Sequence, residues 1–103
     1  MGVMITPFTP YPNQSQLITT SGSSANVNVG KDAPVVHIKN YGATNPAYVR
    51  LGNGSGTTAT SADLVIGPGE AINLYKGSDK DTVAALQLTG ATTLQVTPGS
   101  GGV

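Results

Sequence analysis

The sequence predicts an all-β protein: a single-domain antiparallel β-sandwich of seven to eight short strands. Three observations carry this reading. Apolar residues alternate with polar ones at period two in one short segment after another, as in strands with one wet face. Turn-forming clusters interrupt those segments at the ~8–12-residue spacing of sandwiches and barrels. The composition agrees, with 14 Gly and 7 Pro among 103 residues and many Thr and Val, whereas the helix formers Glu and Lys are scarce. A chain of this length is one ordinary domain, and surface scaling implies that roughly 64% of its unfolded surface is buried on folding.

Residues 1–13 come first. Pro7, Pro10 and Pro12 alternate there with Val3, Ile5, Phe8 and Tyr11. Proline removes backbone donors and fixes φ, so this stretch is an extended arm and not a central strand. Strands follow over residues 16–20, 24–29, 34–39, 47–51, 63–66, 71–75, 82–88 and 92–97, which places the sandwich domain at 14–98. The breaks carry turn chemistry: Gly30-Lys31-Asp32, Asn40-Tyr41-Gly42, Gly52 through Gly56, Gly67-Pro68-Gly69, Gly77-Ser78-Asp79 and Thr89-Gly90. Residues 99–103 are a Gly-rich tail with nothing to pack.

Alternation assigns the faces. The expected core is Val27, Val29, Val36, Ile38, Val49, Leu51, Ile72, Leu74, Leu86, Leu94 and Val96. Residues 78–88 fit either a capped helix or a strand. The alternation of Ala84, Leu86 and Leu88 and the flanking glycines favour the strand.

Five Lys+Arg balance five Asp+Glu. A chain without a basic stripe is not expected to bind nucleic acid or a membrane surface. There is no Cys, which excludes disulfides, thiolate zinc sites and Cys nucleophiles. The opening ten residues lack a charged region followed by a long apolar run, so no secretory leader is expected. His37 is the one histidine and sits in mid-strand without a carboxylate cluster, a poor general base or ligand. Asp79 and Asp81 resemble the start of a calcium loop but lack its later ligands. The glycines from Gly52 to Gly56 lead into poor helix material with no Lys, unlike a phosphate loop. No enzymatic activity, metal or cofactor is expected.

Contact surface is the stronger signal. If 34–39 and 47–51 pair as neighbours, Val35, His37, Lys39, Tyr48 and Arg50 share one outer face, and Tyr and Arg are enriched at interface hot spots. The competing reading is an ordinary solvated sheet face. The arm offers Ile5, Phe8 and Tyr11 as anchors that reach a neighbouring subunit, or else forms an edge strand on its own domain. Exposed sheet edges and low charge lead us to expect a homo-oligomer, a dimer before a trimer.

One further pattern runs from Asn45-Pro46-Ala47-Tyr48-Val49-Arg50-Leu51-Gly52 through a Thr-rich stretch to Asp63. It continues in Gly67-Pro68-Gly69-Glu70 and closes in Thr93-Leu94-Gln95-Val96-Thr97-Pro98-Gly99. This order resembles small virion proteins of tailed bacteriophages over roughly residues 25 to 100. The resemblance implies a compact β-sandwich, of jelly-roll type among the variants open to it. It implies a capsid decoration or cement protein that binds and stabilises the lattice of the same phage's major capsid protein. Such a protein would sit on the capsid exterior of the virion, and in the host cytoplasm during assembly. The alternatives are a head–tail connector or tail component, or a receptor- or carbohydrate-binding β module of a virion fibre. No catalytic residues are carried over.

Overall fold

The computed structural model describes residues 7–102. Nine strands form in chain order: β1 (Thr9–Pro10), β2 (Gln16–Thr19), β3 (Ala25–Asn28), β4 (Val35–Asn40), β5 (Ala47–Gly52), β6 (Leu64–Ile66), β7 (Ala71–Tyr75), β8 (Thr82–Gln87) and β9 (Thr93–Ser100). Among the described residues there is no helix, so 82–87 is strand, as its flanking glycines suggested.

Every pairing is antiparallel, and the pairings are nested. β2 lies on β9, β3 on β8, β4 on β7, and β5 on β6. The eight strands therefore follow the path of one long hairpin. That hairpin then rolls up: β4 adds to β9, and β5 adds to β8. Two sheets result. Sheet one runs β1/β2–β9–β4–β7, with β1 and β2 sharing one side of β9, and sheet two runs β3–β8–β5–β6. With the two-residue β1 set aside, the remaining two four-stranded sheets have the connectivity of a jelly roll. The sequence-predicted sandwich is thus present, with one extra short strand.

Between the sheets lies an apolar core of Ile18, Val29, Val36, Ile38, Ala47, Val49, Ile66, Val83, Ala85, Leu94 and Val96, flanked by Ala25, Val27, Leu51, Ile72 and Leu74. Ten of the eleven expected core residues lie within it or pack against it. Leu86 does not. Register pairs Val49 with Ala85 and Leu51 with Val83, so Val83 and Ala85 face inward and Leu86 faces out. A one-residue shift reverses every side chain of a strand, and Ala84-Ala85-Leu86 is apolar at both phases.

Two segments held outside the domain in the sequence reading belong to it. Thr9 and Pro10 pair with Ser100 and Gly99, so part of the arm is an edge strand and the last strand runs past residue 98. Gly99 is buried where the arm crosses it. A Cβ on Gly99 would sit 2.3 Å from the Thr9 carbonyl oxygen and 2.7 Å from the Phe8 ring, so the close crossing requires glycine.

One end of the sandwich is tied by a buried carboxamide. Asn40, at the end of β4, is fully buried and points inward. Its Nδ2 donates to Asn45 O at 2.9 Å and Ile66 O at 3.2 Å. Its Oδ1 accepts from Gly42 N at 2.9 Å and Thr92 Oγ1 at 2.6 Å. All four capacities of the amide are filled. Thr92 is joined in turn to Thr20, whose Oγ1 accepts from Thr92 N at 2.9 Å. A Cβ on Gly42 would lie 1.9 Å from Thr92 Oγ1, so glycine is obligatory beside the node.

Replacing Asn40 by Ala would leave several buried partners unpaired at about 1–3 kcal/mol each. We expect Asn40→Ala to lower the unfolding free energy by about 3 kcal/mol or more in urea denaturation. Ile38, with no exposed surface, should lose about 2–5 kcal/mol on truncation to Ala.

Candidate interaction surfaces

The two strands expected to share an interface lie in different sheets. The connection from β4 to β5 crosses from sheet one to sheet two, so β4 pairs with β7 and β9 while β5 pairs with β6 and β8. His37 and Lys39 lie on the outer face of sheet one, and Tyr48 and Arg50 on the outer face of sheet two. Consecutive strands pair more often than not, which is why the sequence suggested a shared face. A jelly-roll corner overrides that tendency. Val35 also points outward but is only 2% exposed, in a row with Gly99 and Tyr75, and offers no contact surface.

On sheet one the arm lies down on its own domain. The Phe8 ring is 5.5 Å from the His37 ring, tilted by 32°. His37 Nδ1 and Asn73 Oδ1 are 2.6 Å apart, and Asn73 Nδ2 donates to Gly102 O at 3.1 Å. Because the Asn73 oxygen faces the ring, Nδ1 carries the hydrogen. His37 thus meets Phe8 directly and is linked through Asn73 to Gly102, which brings the two ends of the described chain onto the sheet. The Phe8 ring rests on its own domain, and the Tyr11 backbone is held there too, its amide donating to Pro98 O at 2.9 Å. Ile5 lies outside the described residues. Lower on the same face, Lys39 Nζ lies 5.6 Å from the Tyr41 ring centroid, and Tyr41 Oη donates to Gln95 Oε1 at 3.1 Å.

The outer face of sheet two is divided. Over one half, the segment after β5 folds back. Asn26 Nδ2 donates to Ser55 O at 2.9 Å and Thr57 O at 3.1 Å, and the Ala59 amide donates to Ser24 Oγ at 2.9 Å. The outward-facing Ala84 is fully buried on this side. Arg50 pairs with Asp63 at 2.9 Å, closing the segment. Over the other half no segment among the described residues is hydrogen-bonded across the face. Register sets Val65, Tyr48 and Leu86 side by side across three strands. Val65 is 45% exposed, and Leu88, just beyond the end of β8, is 39% exposed. The outward phase of Leu86, missed in the sequence, is what completes this apolar stripe.

At the end of the sandwich opposite Asn40 sits a buried ammonium. Lys76 is only 2% exposed, and its Nζ donates to the carbonyls of Gly77 at 2.8 Å, Lys31 at 3.4 Å and Lys80. Burial lowers its pKa, and Asp81, Asp79 and Asp32 oppose that shift. Asp81 is occupied as well: its Oδ1 accepts from Gly54 N at 2.9 Å and Thr82 Oγ1 at 2.8 Å. The glycine run from Gly52 to Gly56 thus serves a turn, in which Gly54 adopts φ 86° and presents its amide to Asp81. Neither Asn40 nor Lys76 stood out in the sequence, since a lone amide or lysine at a strand end carries no periodic signal.

The chain matches no protein-family model and no curated protein. Solved structures do resemble it. A de novo designed double-stranded β-helix determined by solution NMR superposes with a TM-score of 0.53 at 19% identity, covering 85% of this chain and 100% of that one. The crystal structure of PirA gives 0.50 at 13% identity, covering 85% and 95%. A pilus protein of Bacillus endospore appendages gives 0.48 at 14% identity, covering 95% and 91%. The class that the topology and the first two likenesses define is a jelly-roll β-sandwich, and they define the fold alone.

The Gly54 amide and the Thr82 hydroxyl hold the Asp81 carboxyl below its ordinary value of 3.8. The unfolded chain therefore binds this proton first as pH falls, and stability drops through the folded value. We expect the Asp81 contribution to the denaturation midpoint to be full above about pH 5 and to be lost as pH falls through the unfolded and then the folded value. Asp81→Asn should show a shallower decline over that window, read from urea melts at stepped pH.

Proposed function

We propose that this protein is a bacteriophage capsid decoration, or cement, protein that binds the lattice of the major capsid protein on the virion exterior. What supports the reading is the virion-protein pattern from Asn45 to Gly99 together with one feature of the surface. The stripe Val65–Tyr48–Leu86, continued by Leu88, is uncharged, sits on a rigid sheet and exposes apolar area to water. Contiguous apolar surface of this kind marks protein contact sites, and Tyr is an anchor residue of such sites. Cement action needs contact area rather than reaction chemistry, and a β-sandwich closed at both ends supplies a fixed platform for it.

The free edges of the two sheets extend the proposal. β3 and β6 end sheet two, while β1 and β2 on one side and β7 on the other end sheet one. Pairing of such edges is a route to the self-association that the low charge permits, a dimer before a trimer.

The test is binding to capsid shells stripped of decoration. Val65→Lys and Leu86→Lys change outward side chains and should leave the fold intact by circular dichroism. Each should weaken shell binding by about tenfold or more, equivalent to ~1.4 kcal/mol. Binding unaffected by both substitutions would remove the stripe from the interface. Sedimentation of the free protein reads the oligomer directly.

A further inference from the structure

We infer that the groove between the β1–β2 bend and the end of β3 is a binding site for a neutral saccharide. The groove is open, with a volume of about 360 Å³, and is lined by Asn13, Gln14, Ser15, Gln16 and Asn28 above Val29 and Gly30. That volume falls at the lower end of the ~300–1,000 Å³ range of small-molecule sites. The inference is independent of the capsid reading.

The lining chemistry selects the ligand class. None of the seven lining residues is ionisable. The walls offer an anion or amine no direct ion-pair partner, and the Asp81 carboxylate, hydrogen-bonded to the Asn28 side chain, disfavours an anion further. Four of the seven carry carboxamides, each with donors and an acceptor on one planar group, and a fifth carries a hydroxyl. A pair of neighbouring sugar hydroxyls presents the same donor-plus-acceptor set. Val29 and Gly30 add a small apolar surface for ring C–H groups.

Part of the wall is held in place before any ligand arrives. Gln16 Nε2 donates to the Asn28 carbonyl, which leaves its Oε1 as a fixed acceptor. Asn28 Oδ1 accepts from the Gly30 amide at 2.9 Å. Ser15 Oγ is hydrogen-bonded to Thr97 Oγ1 at 2.7 Å. Asn13 takes a left-handed backbone with φ 62°, the only non-glycine residue to do so among those described. Side chains already positioned lose less entropy on binding. Among the described residues, the carboxamides of Asn13 and Gln14 have no protein partner, so they remain available to the ligand. The lining contains no aromatic platform, so binding should be weak, with a millimolar dissociation constant.

The experiment is a titration of the 15N-labelled full chain, followed by amide chemical shifts. Glucose, galactose, mannose, N-acetylglucosamine, maltose and lactose are each added to about 50 mM, well above a millimolar constant. At least one should give saturable shifts confined to residues 13–16 and 28–30. Asn13→Gly with Gln14→Ala removes both free carboxamides while glycine accepts the left-handed backbone, and should weaken that binding at least tenfold. Gln14→Ala alone, at an exposed position, should weaken it by a smaller factor. Three results would overturn the inference: no saturable shifts with any of the six sugars, shifts centred elsewhere, or unchanged binding by the double variant. Equal shifts from the blocked dipeptide N-acetyl-Ala-Gly-amide would overturn it too, by making the groove a peptide site.

Discussion

The architecture depends on closing a long double hairpin at its ends, and the Asn40 carboxamide closes one of them. A jelly roll brings together, at each end, loops that are far apart in sequence. Asn40 meets the β4–β5 loop through Asn45 and Gly42, the end of β6 through Ile66, and the β8–β9 loop through Thr92. Thr92 passes the connection on to Thr20 in the β2–β3 loop. Its backbone adds two more bonds, to Glu70 O at 2.9 Å and from Gly69 N at 3.0 Å, so the β6–β7 turn is included. Four loops thus converge on Asn40 and its partner Thr92, two of them on the uncharged Asn40 side chain itself. A carboxamide suits that task because it offers two donors and two acceptor sites without the desolvation cost of a charge.

At the other end a charge does the corresponding work. Lys76 carries three donors and no acceptor, and here the three are taken by carbonyls of the β3–β4 and β7–β8 loops. Asp81 extends the connection to the turn after β5 through Gly54. Carbonyl oxygens ringing an ammonium resemble the ligands a protein gives a bound cation, except that the cation is supplied by the chain. The cost is visible in the lowered pKa of Lys76, where burial outweighs three nearby carboxylates. The two ends therefore use opposite chemistry for one purpose, which is to satisfy loop backbone groups that the sheets cannot pair.

These two nodes mark the boundary of what the sequence made legible. Strand positions were readable because period-two alternation is local: each of the eight main strands overlaps its expected segment, and the inward phase of residues such as Val36, Ile38, Leu94 and Val96 followed directly. Pairing was not readable, because nothing in residues 34–39 and 47–51 says that the chain changes sheets between them. That is why Val35, His37 and Lys39 ended on the opposite side of the molecule from Tyr48 and Arg50. Leu86 failed for a different reason: a run apolar at both phases carries no phase information, and its partners Tyr48 and Val65 decide the matter only in three dimensions. The sequence left the arm open between an edge strand and a reaching anchor, and took the last residues as an unpacked tail, because pairing of Thr9 with Ser100 is a long-range event with no composition signal.

With both ends occupied by internal hydrogen bonds, the surfaces left for a partner are the sheet faces, their edges and the groove beside Asn13. The faces are not equivalent. Sheet one is partly covered by Phe8 on His37 and by Gly102 on Asn73, and exposes Leu17 and Tyr75 beside that cover. Sheet two is covered over β3 and β8 by the segment that Arg50 and Asp63 close, but toward the β6 edge it leaves Val65 exposed and Tyr48 and Leu86 half-buried. That asymmetry is physical information about direction. Under the proposed capsid reading, a partner would approach the apolar stripe from the β6 side and meet a backbone fixed by sheet hydrogen bonds, so little ordering entropy would oppose its binding. The groove lies at the β2–β3 side, at the opposite edge of sheet two from β6. A molecule seated by its stripe can therefore keep the groove free.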